Sequence, residues 1–230
     1  MCFSATASFT AAAILVPLGG YAIAKANTID KSYLPLASFP LFFGIQQALE
    51  GTVWLNLAQG EQSAIYSAAL GFMFFSHFFW LAWVPYSSWS IEQNPRRKKI
   101  FSYIVKLGLA LGLYLYLQLL LDTENRLNVV IVEHSIFYET KLFLHEYVHK
   151  IFVLLIYATL IIFPLVANSN REVRNFGITI LASIIFTGIY FSYAYISVWC
   201  FFAAYLSLHI IWGLRKIESQ RDVEMSGISE

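Results

Sequence analysis

The sequence predicts an all-α integral membrane protein of about seven transmembrane helices, N-terminus outside, C-terminus cytoplasmic, with a short outer cap. Three observations carry that prediction. Of 230 residues, 58% are hydrophobic and only 13% charged, and the mean hydropathy is +0.62, too apolar for an ordinary soluble domain. Seven apolar stretches approach the ~20 residues that cross a bilayer. Lys and Arg gather in alternate loops, which sets an orientation. The net charge of +1 gives no nucleic-acid signal. The partner that composition implies is the lipid bilayer.

The spans are expected at about 5–24, 34–57, 63–85, 100–121, 148–167, 175–193 and 196–214. The first lacks a preceding positive charge, and Lys25 follows its apolar run, so it reads as a retained span, not a secretory signal. Lys25 and Lys31 fall in the first loop, Arg96 to Lys99 in the third, Arg171 and Arg174 in the fifth, and Arg215, Lys216 and Arg221 in the tail. Those 11 residues mark one side as cytoplasmic. Arg126, Lys141 and Lys150 are left for the other side, and Lys106 can snorkel from the fourth span. Residues 1–217 form one transmembrane domain in this reading, and 218–230 a polar, disordered cytoplasmic tail.

The outer cap is the segment 122–146. Its stretch from Leu127 to Tyr138 is rich in β-branched and aromatic residues and reads as a short hairpin or an extended lid. Trp54, Trp83, Trp89, Trp199 and Trp212 fall near span ends, as an aromatic belt at the interfaces would.

One residue breaks the apolar pattern of the second span. Glu50 lies within it, and Gln46, Glu50 and Trp54 repeat at i, i+4, i+8, so they share a helix face. Intramembrane carboxylates are costly and seldom face lipid. A glutamate locking two helices together and a proton carrier, metal ligand or substrate anchor are equal alternatives.

The two cysteines, Cys2 and Cys200, both map to the outer half. They suit a disulfide, a pair of soft metal ligands, a free thiol or redox pair, or two small apolar residues that never meet. Removal of Met1 would give Cys2 an α-amine beside its thiol, a bidentate ligand or a nucleophile. His145-Glu-Tyr-Val-His149 matches H-E-x-x-H, a zinc-protease pattern when helical. Five residues with three fixed are a weak signal, and the flanking Lys141 and Lys150 suit a solvated interfacial turn. His77 and His209 lie in the inner halves of the third and seventh spans, too far inward to join Glu50 directly; they read first as hydrogen-bonded packing residues, with a meeting between the two as the alternative.

The opening Met1-Cys-Phe-Ser-Ala-Thr-Ala-Ser-Phe9, the stretch Gln46 to Trp54, the stretch Ile196 to Ala204 and, more loosely, His134 to Tyr138 resemble an uncharacterised family of small bacterial multi-span membrane proteins. The resemblance implies an architecture and a motif set, not a reaction. It adds convergence: Cys2, Glu50, Trp54, Trp199, Cys200, His134 and Tyr138 all map to the outer half.

The leading expectation is an outward-facing pocket binding a metal, zinc or another divalent ion, or a small ligand. Glu50 and Cys2 are its candidate catalytic groups. Gln46, Trp54, Trp199 and Tyr138 are candidate ligand contacts. Cys2, Cys200, Glu50 and His134, with His145 and His149 more weakly, are candidate metal ligands. That pocket would suit a metal- or thiol-dependent membrane enzyme of the bacterial inner membrane. A proton- or cation-coupled transporter or sensor using Glu50, and a structural membrane subunit, are the alternatives.

Overall fold

The computed structural model describes residues 4–132, 134–144, 150–190, 198–199, 202, 204 and 206–227. It is mostly helical, with one two-stranded sheet. Helix α1 (Ala5–Ile29) starts where the Ser4 side chain accepts from the Ala7 N–H, 3.2 Å, an ordinary N-cap. A 3-10 turn (Lys31–Tyr33) and one-turn helix α2 (Leu34–Ala37) lead into α3 (Phe39–Gln59). Gly60 ends α3 with φ +74°, the left-handed conformation that releases the chain into a turn.

Helix α4 (Gln62–Phe74) returns beside α3 and continues through a π-turn (Phe75–Phe79) into α5 (Trp80–Ile91). Helix α6 (Pro95–Leu121) opens on Asn94, whose side chain accepts from the N–H groups of Arg96 and Arg97 at 3.0 and 3.2 Å. The single turn α7 (Thr123–Arg126) precedes the strands β1 (Leu127–Val132) and β2 (Ser135–Thr140). Helices α8 (Lys150–Val166), α9 (Arg171–Tyr190) and α10 (Leu208–Gly227) complete the described chain.

Four of the described helical segments are long and apolar enough to cross a membrane: Ala5–Ile29, Gln62–Ile91, Pro95–Leu121 and Arg171–Tyr190. The 21-residue α3 is not among them, and it carries Gln46, Gln47 and Glu50. Large apolar side chains stand exposed along α6, α8 and α9, among them Leu107, Leu113, Ile151, Leu155, Ile185 and Ile189. Apolar faces on three separate helices exceed what a water-soluble monomer tolerates. These are the marks of a membrane protein.

The helices pack closely through small residues. A Cβ on Gly19 would lie 2.3 Å from the Leu41 backbone nitrogen, and one on Gly108 would lie 2.0 Å from the Leu81 carbonyl oxygen. Gly44 faces Val16 and Gly51 faces Phe9, so α1 and α3 run antiparallel with backbones nearly touching.

The hairpin foreseen in the cap is present. β1 and β2 pair antiparallel, with Val129 opposite Tyr138 and Val132 opposite Ser135. Leu127, Val129, Ile136 and Tyr138 are buried on one side, and the Tyr138 ring stacks on Phe72 of α4 at 4.7 Å and 9°. His134 sits exposed at the tip with φ +64°.

Helix α10 continues to Gly227, through residues that the sequence reads as a polar tail. Within that continuation Glu218 forms an ion pair with Lys25 of α1, a tertiary contact that local polarity does not reveal.

Candidate functional site

Glu50 occupies the middle of α3 and is fully buried, as are Gln46 and Gln47. The i, i+4 spacing does align Gln46 with Glu50 on one face. Helix α5 supplies what that face meets. Trp80 Nε1 donates to Gln46 Oε1 at 2.8 Å, and both residues are almost wholly enclosed. The Trp80 ring stacks on Phe43 at 4.0 Å and meets Phe39 edge-on at 5.4 Å. None of Gln46, Gln47, Glu50 and Trp54 is without a polar or ring partner.

Trp80 also connects this face to the end of the chain. With Phe39, Phe43 and Trp199 it lines an apolar cavity of about 20 Å³. Trp199 is buried and lies 6.1 Å from the Tyr157 ring of α8. Tyr157 in turn donates to the Ser76 carbonyl at 2.6 Å, inside the π-turn. A π-turn withdraws backbone carbonyls from regular helical pairing, and Tyr157 occupies one of them. Beside it, Ser76 Oγ and His77 Nδ1 are 3.0 Å apart, with His77 buried.

The candidate residues therefore fall into three groups. Gln46 and Glu50 share a buried face, and Trp199 lines one cavity with Trp80, the donor to Gln46. Trp54 is half-buried one turn further along α3. Tyr138 and His134 belong to the hairpin, where Tyr138 is engaged with Phe72. Cys2, Cys200, His145 and His149 lie outside the described residues, and so does the H-E-x-x-H motif. Among the described residues no three His, Cys, Asp or Glu side chains are grouped to hold a metal ion. His77 and His209 have different surroundings: His77 is in the π-turn, while His209 lines a cavity with Tyr33 and Glu172.

Sequence reasoning missed Trp80, which lies too far inside its span for an interfacial belt. It also missed a polar latch at the basic end of the bundle. There the fully enclosed Glu92 accepts from the N–H groups of Asn94 at 2.8 Å and Ser169 at 2.9 Å. Burial pushes its carboxyl up, but the hydrogen bonds from Ser169, Asn94 and Gln93 outweigh it and hold Glu92 below the usual carboxylate range. Arg97 donates to the Ala167 carbonyl at 2.9 Å, beyond the end of α8.

Asn168 donates to the Ser88 carbonyl at 2.9 Å. Asn170 caps α9 by accepting from Glu172 and Val173, and it donates to the Tyr33 hydroxyl at 2.7 Å. Burial, and then the negative Asp30, raise the Tyr33 hydroxyl above its ordinary value. The visible signal was Asn168-Ser-Asn170 just before a helix, an N-cap signature.

A family model described as "Family of unknown function (DUF6629)" matches residues 1–224. The chain belongs to that family. The match covers the opening string, the Glu50 helix and the Trp199 stretch together. No curated protein and no solved structure matches the chain.

Proposed function

We propose that this protein is a seven-span protein of the bacterial cytoplasmic membrane, N-terminus outside, in which Glu50 carries a proton or small cation for a transport or sensing step. One observation carries the reading: Glu50 is fully buried in a membrane-type bundle beside two buried amides, Gln46 and Gln47. Ionisable groups inside membrane bundles are rare and commonly mark ion pathways and proton relays. The Gln46 and Gln47 amides carry both donors and acceptors, so they suit either protonation state. Cys2 and Cys200 are the proposed completion of the site from the outer side, with Trp54 and Trp199 as its aromatic walls. A zinc or other divalent site at these residues draws no support from the described side chains.

A structural role is the second reading, favoured by the Gln46–Trp80 bond, which ties α3 to α5. A hydrophobic carbodiimide separates the two, because it modifies protonated carboxyl groups in apolar surroundings. Purified protein in lipid vesicles is treated across pH 5–9, and adducts are located by peptide mass spectrometry. The proton-carrying reading expects an adduct on Glu50 that declines as pH rises and is absent in Glu50→Gln. No adduct on Glu50 at any pH, in protein whose other carboxyls react, ends it.

A further inference from the structure

At the basic end of the bundle, α10 lies against α9 and the 3-10 turn around a small cavity of about 20 Å³. Most of its wall is apolar: Leu36, Val173, Phe176 and Ile210. Three polar side chains interrupt it, Tyr33, Glu172 and His209. Two of their polar atoms are enclosed and have no hydrogen-bond partner among the described residues, Glu172 Oε2 and His209 Nε2. The other carboxylate oxygen, Glu172 Oε1, accepts from Lys216 Nζ at 2.7 Å. Leaving a buried acceptor unpaired costs on the order of 1–3 kcal/mol, so two on one small cavity demand an explanation.

We infer that this cavity is a water-bridged proton-binding site, in which a single water joins Glu172 Oε2 to His209 Nε2. The volume fits, because a cavity of at least ~10–15 Å³ with two or more polar partners holds one water. The chemistry fits both protonation states of the imidazole. With His209 neutral and its proton on Nδ1, the water donates one hydrogen to each acceptor. With His209 protonated, Nε2–H donates to the water, and the water still donates to Glu172. The proton is taken up without stranding either group.

The charged groups around the site have defined places. Lys216, on the same helix as His209, is held by Glu172. Tyr33 closes the opposite wall and receives the Asn170 amide. The Lys25–Glu218 pair and Arg215, stacked 5.6 Å over Tyr21, lie on the α1 side of α10. Glu172 is the carboxylate that lines the cavity with His209.

The site carries its own reporter. The His209 ring lies 5.1 Å from Trp212, and a protonated imidazole at that range quenches indole emission. Full-length protein in nanodiscs is titrated from pH 8.5 to 5, and the Trp212 signal is taken as the difference from Trp212→Phe. The expected result is a single quenching transition that disappears in His209→Gln, a variant that keeps a hydrogen-bonding side chain. In Glu172→Gln the midpoint should move, because the bridging water loses its charged acceptor. A wild type without a transition overturns the inference. So does a transition that survives His209→Gln, or an unmoved midpoint in Glu172→Gln. Hydrogen exchange of the α10 amides checks that each variant keeps the helix docked.

Discussion

Removing the Glu92 carboxylate should loosen the basic end of the bundle by a predictable amount. Its two oxygens each accept one backbone N–H, from Asn94 at 2.8 Å and from Ser169 at 2.9 Å. Hydrogen bonds to a charged group contribute about 1.5–3 kcal/mol each. Water re-entering the gap in Glu92→Ala recovers part of that, leaving a net loss of about 3 kcal/mol. A 150–250-residue protein shifts by roughly 2–4 °C per kcal/mol, so Tm should fall about 6–12 °C. Glu92→Gln keeps one acceptor oxygen but turns an NH2 toward the other donor, and should lose about half as much.

The pH dependence gives a second, independent reading. The folded carboxyl is held below its ordinary value of 4.5. Its contribution is therefore complete above the unfolded value and is lost as pH falls through the folded one. The Tm gap between wild type and Glu92→Gln should be widest near pH 7 and shrink below about pH 4. Taking the difference cancels the other carboxylates. Thermal unfolding in detergent, followed by intrinsic fluorescence, measures both. An unchanged Tm in Glu92→Ala, or a gap that does not narrow in acid, refutes the reasoning.

Three further outcomes are expected. Trp80→Phe removes the donor to Gln46 Oε1 and some enclosed ring volume; a loss of about 1–3 kcal/mol should appear as a Tm drop, with Gln46→Met in the same background costing little more. Gly108→Ala would press a methyl to within 2.0 Å of the Leu81 carbonyl oxygen; α5 and α6 must separate, costing at least ~1–3 kcal/mol and lowering the yield of folded protein on size exclusion. Gly60→Ala meets no neighbouring atom but is forced into φ +74°; it should cost about 1–2 kcal/mol from backbone conformation alone, and Gly60→Asn distinctly less.

Local chemistry was the legible part of this chain. Ser4 precedes an apolar run and Asn94 precedes a proline, and both start helices as capping residues do. The β-branched run from Leu127 announced the hairpin because extended pairing needs no distant information. Glu50 stood out because one charge against an apolar background is visible in a single dimension.

What stayed hidden depends on partners far away in sequence. Trp80 reads as another aromatic until Gln46, 34 residues earlier, accepts a hydrogen bond from its indole N–H. Glu92 looks like a loop carboxylate, and only the fold brings Ser169 to it from 77 residues away. The π-turn left no mark either. Phe75-Ser-His-Phe-Phe79 has no Pro or Gly to betray a change in helical repeat, and Tyr157 is the long-range group that meets it.

That π-turn divides the helix from Gln62 to Ile91 into two halves with separate assignments. The α4 half answers to the hairpin through Phe72 and Tyr138. The α5 half answers to Gln46, to Pro35 and Ser38 through the Trp83 indole, and to the latch through Ser88. A turn holding one surplus residue works like a slip joint between them. Shortening it by one residue should leave both faces aimed as they are and surrender only the Tyr157 contact. The same residue removed from α4 or α5 would swing one half through about 100° relative to its partners.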